Sequence, residues 1–538
     1  MAHATEIRQF PSLYEADIDT LVRGLDRKKF SSVDLVKAYI ARINEVNDAL
    51  SAVVEINPDA LSIASALDYE RSEGAVRGPL HGIPILIKDT IATNDKMNNT
   101  AGSYALVGAK VPTDSTVAKK LRESGAIILG KTNPSEWNSY RIFDSSNGWS
   151  AYGGQTYGPF YLYQDPSGSS SGSAVAATLR LATVCLGGET SGSIIDPASH
   201  NNVVGVKPTV GLTSRYLVIP LSEHMDTIGP MTKTVKDAAY VLHSIAGVDP
   251  LDNYTSAIPD NANLDFVGAC NLSALAGARL GVPRNVISLM SSRDNNTASM
   301  VAAFDRSLHI LRSTGAIIIE TPNTDFFAAE AYLRDSQLSA QIMGADFVVN
   351  LQHYLSQLIH NPHNITNLNE LRRWTQESPL EGYPDKPTEL WDAALNNWNN
   401  TEPGFWRAYQ QGLYYGDEGG LLGVIRKNNL DAVILPSPFA WDWAGVVGAP
   451  IVSVPMGAIP PGQPVVTGAN GLVSSAPNIP FGLSFLGARF SDAKLIGLAY
   501  AFEQRTMVRD TIHPYIKPRM DLWDFTGRQR DYDCGSKE

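Results

Sequence analysis

Two runs rich in serine and glycine are where this chain could do chemistry: Gly168-Ser169-Ser170-Ser171-Gly172-Ser173 and Gly187-Gly188-Glu189-Thr190-Ser191-Gly192-Ser193. Brought to one point, they would set hydroxyls beside several backbone N–H groups, the ingredients of nucleophilic chemistry at a carbonyl. Such a composition alone equally describes a flexible linker. The segment between the runs, AVAATLRLATVCL from Ala174 to Leu186, is too apolar and too rich in helix formers to be a solvated tether. It reads as a buried helix carrying Cys185, so the serines at its ends are held in a fold.

The elements that must position these serines follow from local pattern. Ser31-Ser32-Val33-Asp34 reads as a helix start, with Leu35, Ala38, Tyr39 and Ile43 forming one buried stripe. Leu80 to Asp89 is a short apolar run bounded by turn residues and ending in charge, as a buried strand would be. A helix over 115–124 leads into a strand at Ala126-Ile127-Ile128-Leu129, and strand and helix alternate to about residue 320, which indicates an α/β architecture. From 325 to 420 the chain turns polar, Asn-rich and aromatic, with Trp374, Trp391, Trp398, Phe405, Trp406 and Tyr409. Strand-like runs return at 431–436 and 480–487, followed by an amphipathic helix over 491–504. The expected organisation is a helical layer over 1–75, a core over 76–320, a helical insertion over 321–425, the rest of the core over 426–510, and a surface tail over 511–538.

Bulk properties narrow the function class. The chain has 538 residues, 43% apolar and 18% charged, enough to bury a large core. Its net charge of −12 speaks against nucleic acid, whose phosphates need a basic face. No apolar stretch approaches the roughly 20 residues that span a bilayer, and MAHATEIRQF lacks the apolar core of a signal peptide. Cys185, Cys270 and Cys534 are too widely spaced for a disulfide framework or a metal knuckle. A cytoplasmic location is expected, with the sequons at Asn98, Asn253, Asn271, Asn295, Asn364 and Asn399 read as chance.

Two motifs invite other chemistry. Gly125-Ala126-Ile127-Ile128-Leu129-Gly130-Lys131-Thr132 satisfies the phosphate-loop pattern letter for letter. Its four intervening residues are strand formers and Asn133-Pro134 follows at once, so its N–H groups are expected in a sheet rather than around a phosphate. Gly168-Ser169-Ser170-Ser171-Gly172 matches a nucleophile elbow centred on Ser170. The preceding Tyr161 to Pro166 makes a poor core strand, and nothing around the late histidines, such as His360 and His513, marks a catalytic partner.

Read together, these runs resemble the amidase signature family. The resemblance rests on G-I-P-I-L-I-K-D around Lys88, G-S-S-S-G-S from Gly168, G-G-E-T-S-G-S-I-I-D-P from Gly187 and V-G-V-K-P-T from Val204. The flanking 148–156 segment and the late F-G-L-S-F-L-G run add to it, so the motifs cover nearly the whole chain in order. The family implies an α/β/α sandwich, a large mixed central sheet covered by helices on both faces. It also implies an amidase that needs no metal and no cofactor, acting on a small-molecule amide, with a homodimer left open.

The resemblance further implies a triad of Lys88, Ser169 and Ser193. In such a site Ser193 attacks an amide carbonyl and forms an acyl-enzyme, while Ser169, joined to Gly168 by a cis peptide bond, relays the proton to Lys88. Lys88 must be neutral to serve as base, against an ordinary value of about 10.4. The run from Gly82 to Ile87 would desolvate it and lower that value. The other placement lets Lys88 leave the strand end into water beside Asp89, which would keep it charged. The N–H groups of Thr190, Ser191, Gly192 and Ser193 are the candidate oxyanion donors, and Ser170 either bonds Lys88 or the serine chain, or simply packs the turn.

This chain departs from the family where Ser191 replaces a Gly or Asp, where Ile195 replaces a common Arg, and where Asp196 follows. Acyl transfer or ester hydrolysis by the same triad, the ammonia-producing subunit of a tRNA-dependent transamidase, and a silent homologue are therefore carried as alternatives. The aromatic residues of the insertion are expected either to line an apolar acyl or aryl pocket or to pack helices.

Overall fold

The computed structural model describes residues 10–143, 147–335, 338–397 and 399–526. Its centre is an eleven-stranded mixed sheet in the order Val53–Ile56, Ile127–Thr132, Pro84–Lys88, Val184–Glu189, Thr227–Thr232, Val204–Lys207, Ile451–Ala458, Pro480–Leu486, Ala432–Pro436, Arg279–Gly281 and Ile317–Ile319. Helices pack around it, giving an α/β sandwich. Pro84–Lys88 runs parallel to both of its neighbours. A parallel strand enclosed in this way is apolar throughout rather than alternating, and all five of its residues are buried. Because the three strands share a direction, Lys88, Thr132 and Glu189 finish at one edge of the sheet, and that is where the site lies.

The helix Ser32–Leu50 begins with a reciprocal capping box between Ser31 and Asp34, as its sequence predicts. The apolar run from Ala174 to Leu186 is not one helix. It divides into the helix Ser171–Leu179 and the strand Val184–Glu189, and Cys185 lies in the strand. The division falls at Arg180, which takes a left-handed φ of 55° and turns its buried guanidinium to the carbonyls of Thr183, Ala16 and Leu13. Those three acceptors lie outside the helix, so the side chain that interrupts the apolar pattern also ends the element.

Between Ile317–Ile319 and Ala432–Pro436 the chain passes through the α-helices Ala329–Arg334, Leu338–Ser356, Leu368–Glu377, Glu389–Asn397, Pro403–Gly416 and Leu421–Asn428. Phe347, Leu351, Leu368 and Trp391 from this segment form a second apolar core with Trp137, Tyr140 and Leu221. Buried Arg141 joins the two parts, pairing with Glu136 on one side and with Glu381 of the helical segment on the other. Residues 511–526 are mostly exposed or half-buried and are anchored to the N-terminal part of the chain. Asp521 accepts from the Ser12 hydroxyl at 2.7 Å and the Leu13 N–H at 2.8 Å, and Leu522 is fully buried. Residues 1–9, Cys534, Trp398 and the chain after 526 lie outside the described residues.

Helix Ser171–Leu179 must approach the sheet closely at its start. A Cβ on Gly172 would lie 2.3 Å from the Ala52 carbonyl oxygen and 2.6 Å from the Asn133 amide nitrogen. Both are backbone atoms and cannot swing aside. Gly172→Ala should therefore lower stability by about 1–3 kcal/mol, the usual cost of overpacking. Denaturant unfolding measures it, and an unchanged midpoint would contradict this packing.

Candidate active site

Lys88 ends the buried strand and is itself fully buried. Its Nζ lies 2.7 Å from Ser169 Oγ and 3.3 Å from the Gly188 carbonyl. Burial pushes the ammonium down to about 7, opposed by the carboxylates of Asp226 and Glu189. The placement in water beside Asp89 does not occur. Asp89 is 1% exposed and turns away to the N–H and hydroxyl of Thr100 and the N–H of Gly102. An amine near 7 carries a substantial neutral fraction at neutral pH, which an ordinary lysine does not.

Ser169 follows a cis peptide bond from Gly168. Its carbonyl accepts the Ser135 N–H at 2.9 Å, which holds the backbone at that residue. Ser170 bonds neither Lys88 nor another serine side chain. Its hydroxyl donates to the Gly188 carbonyl at 3.1 Å and accepts the Gly188 N–H at 3.2 Å, while its own N–H reaches the Ser193 carbonyl at 3.0 Å. Ser170 thus ties the two serine runs together, its hydroxyl and N–H both meeting backbone groups of the second run. Among the described residues no strand runs directly into it and its hydroxyl bonds Gly188 rather than a histidine, which removes the elbow reading.

Ser193 is 8% exposed, and among the described residues its hydroxyl has no hydrogen-bond partner. The turn that carries it is organised by Glu189. One carboxylate oxygen accepts the Gly192 N–H at 3.0 Å, and the other accepts those of Ile194 and Ile195 at 2.7 and 2.9 Å. This corrects one expectation, because the Gly192 N–H is already engaged and does not face outward as an oxyanion donor. The N–H groups of Thr190, Ser191 and Ser193 have no protein partner among the described residues. Burial pushes the Glu189 carboxyl up, against the pull of Lys207 and the three N–H groups. Gly192 has φ +88°, and a Cβ there would stand 3.0 Å from the Trp441 ring.

The departures from the family pattern also find places. The Ser191 hydroxyl donates to Asp442 at 3.2 Å, in the short helix Trp441–Gly445 that lies over the turn. Ile195 is buried, and Asp196 accepts from the Ser167 hydroxyl at 2.8 Å on the side of His200. Lys131, the lysine of the phosphate-loop pattern, lies inside a strand with its Nζ on the Ile91 carbonyl and Asn99. The N–H groups of Gly125 and Ala126 bond the carbonyls of Arg122 and Leu121, and Ile127–Thr132 lies in the strand, so the pattern cannot cradle a phosphate.

Sequence reasoning missed Glu189, Asp226 and the Trp441–Gly445 helix. An acid at the head of a small-residue turn that opens a helix was the available signal for Glu189. The other two come from distant segments and carried none. Among the insertion's aromatics, Trp391 is fully buried against Trp137, Trp374 packs on His363, and Trp406 is about half exposed. Among the described residues, Glu223, His224 and Asp346 bring three metal-type ligand atoms within 4.8 Å of one another. Both Asp346 oxygens already accept hydrogen bonds, from Ser222, His224 and Asn400, which leaves poor ligation.

Glu189→Gln puts one acceptor oxygen and an NH2 group where three N–H groups need acceptors. It should cost about 1–3 kcal/mol of stability through unpaired buried donors. Thermal unfolding of the folded variant reads the loss, and wild-type stability would show that the carboxylate is dispensable.

Known proteins resemble this chain in sequence and fold. The family model described as Amidase matches residues 34–496. A protein of Arthroderma benhamiae named "Putative amidase" is 49% identical over 534 residues, covering 95% of this chain and 89% of the relative. The structure of native peptide amidase from Stenotrophomonas maltophilia superposes with a TM-score of 0.82 at 35% identity, over 93% of this chain and 99% of that one. An amidase family protein from Bacillus anthracis gives a TM-score of 0.79 at 30% identity, over 93% of each chain. The motif order, the mixed sheet and these relatives converge, and the chain belongs to the amidase family.

Proposed function

We propose that this amidase hydrolyses carboxamide C–N bonds through an acyl-enzyme on Ser193. The observation that carries the reading is the contact of a desolvated Lys88 with Ser169 Oγ at 2.7 Å. In this reading neutral Lys88 accepts the Ser169 proton as Ser169 accepts that of Ser193, and Ser193 Oγ bonds to the carbonyl carbon. The oxyanion is met by N–H groups of Thr190, Ser191 and Ser193, and removal of one such donor typically costs about 10²- to 10³-fold in rate. The C–N bond then breaks as the proton returns along the same relay to the leaving nitrogen. Water repeats the sequence on the ester and releases the acid.

The likeness to peptide amidase supports C-terminal peptide amides, beside primary amides and anilides, as the first substrates to test. The helical segment over 321–425 shapes the substrate pocket in this reading, and all three triad residues come from one chain, so the site does not require a homodimer. A cytoplasmic setting belongs to the same proposal. Among the described residues, no helix is long and apolar enough to cross a membrane.

A serine-directed fluorophosphonate should modify Ser193, as mapped by peptide mass spectrometry, and should leave Ser193→Ala and Lys88→Ala unmodified. An adduct elsewhere, or an active Ser193→Ala enzyme, would sink the mechanism. The pH dependence has a definite sign. The base is the neutral amine, so the acylation rate should rise with pH through Lys88's value of about 7 and level off above it. Asp226 and Glu189 face that amine as anions, so Asp226→Asn should move the limb to lower pH.

A further inference from the structure

The turn from Pro220 to Asp226 is tied at both ends. At the end nearer the site, Asp226 accepts the Thr190 hydroxyl at 2.5 Å with one oxygen and the N–H groups of Leu221 and Ser222 at 2.8 and 3.0 Å with the other. Thr190 stands three residues before Ser193 and opens the nucleophile turn. The same carboxylate is one of the two anions that face Lys88.

The other end is tied to the helical segment. Asp346, in the middle of the helix Leu338–Ser356, is fully buried. It accepts the Ser222 hydroxyl at 2.5 Å, His224 Nδ1 at 2.8 Å and the Asn400 amide at 3.2 Å. A carboxylate can only accept, so His224 donates its Nδ1–H and its ring orientation is set. Aromatic rings enclose the imidazole: Tyr409 at 4.5 Å, Phe405 at 5.5 Å, Trp406 at 6.2 Å and Tyr254 at 6.4 Å between centroids. Both the bond and the enclosure hold the turn. The bonds from His224 and from Ser222 tie it to the charge of Asp346.

We infer that His224 is a positioning residue: anchored on Asp346, it fixes the 220–226 turn so that Asp226 holds Thr190 and the nucleophile turn in their reactive arrangement. The helical segment over the sheet edge thereby sets the reactivity of Ser193 as well as covering the site. The inference rests on the acyl-enzyme reading above. It assigns no proton transfer to His224. Its effect passes through Asp226 to Thr190 and to the field at Lys88.

The test is the second-order rate of fluorophosphonate labelling at Ser193, followed against pH in folded protein. His224→Phe keeps a ring among the aromatics and removes the donor to Asp346, whereas His224→Asn keeps a donor near the Nδ1 position and removes the ring. His224→Phe should label about 10- to 100-fold more slowly, the scale of a displacement of about 1 Å at a catalytic group. Its pH limb should shift downward as Asp226 moves away from Lys88, and His224→Asn should recover most of the rate. Asp346→Asn should slow labelling in the same way, and it decides the matter if His224→Phe does not fold. Wild-type rates and an unshifted limb in both His224→Phe and Asp346→Asn would overturn the inference, as would a His224→Asn protein as slow as His224→Phe. A wild-type protein that does not label at Ser193 would instead overturn the acyl-enzyme reading, and this inference with it.

Discussion

A lysine buried at the end of a parallel strand, in contact with a serine hydroxyl, is the constraint on which this site depends. An ammonium in a dry interior is costly unless it is paired or gives up its proton. Here the nearest contacts are a hydroxyl and a carbonyl, and the carboxylates of Asp226 and Glu189 act from further away. Those anions limit how far the lysine falls, and burial still wins. The parallel pairing on both sides of Pro84–Lys88 supplies the dryness, because it encloses the strand and delivers its last residue to the edge where Glu189 also ends.

Around that contact the hydroxyls and N–H groups are sorted by carboxylates. Glu189 gathers three N–H groups and bends the chain, leaving Ser193's own N–H outside that set. Asp226 holds Thr190, Asp442 receives Ser191, and Asp196 receives Ser167. Ser170 joins the two serine runs through its hydroxyl on the Gly188 backbone and its N–H on the Ser193 carbonyl. A turn assembled in this way is fixed from several distant segments at once, so its reactive arrangement belongs to the whole fold rather than to the Gly/Ser sequence.

What the sequence made legible is what local pattern controls. The capping residues Ser31 and Asp34, the apolar run before Lys88 and the strand formers hidden in a phosphate-loop pattern all behave as their chemistry dictates. The single helix read through Ala174 to Leu186 failed at Arg180, whose partners at Leu13 and Ala16 are more than 160 residues away in sequence and left no local trace. Gly192 was read as an open donor because Glu189's side-chain direction cannot be inferred from its neighbours. Asp226, Asp442 and the His224–Asp346 pair were illegible for the same reason, since each acts across the sheet edge from a different part of the chain.

The most direct test of the central claim is the titration of Lys88 itself, followed by NMR of protein carrying 15N at the lysine Nζ positions. The Lys88→Ala variant identifies the signal and separates it from Lys131 and Lys207, which burial lowers to about 8. The account predicts a lysine nitrogen that changes protonation near 7 and is missing from the variant. A Lys88 nitrogen that stays protonated up to the ordinary lysine value of about 10.4 would contradict it.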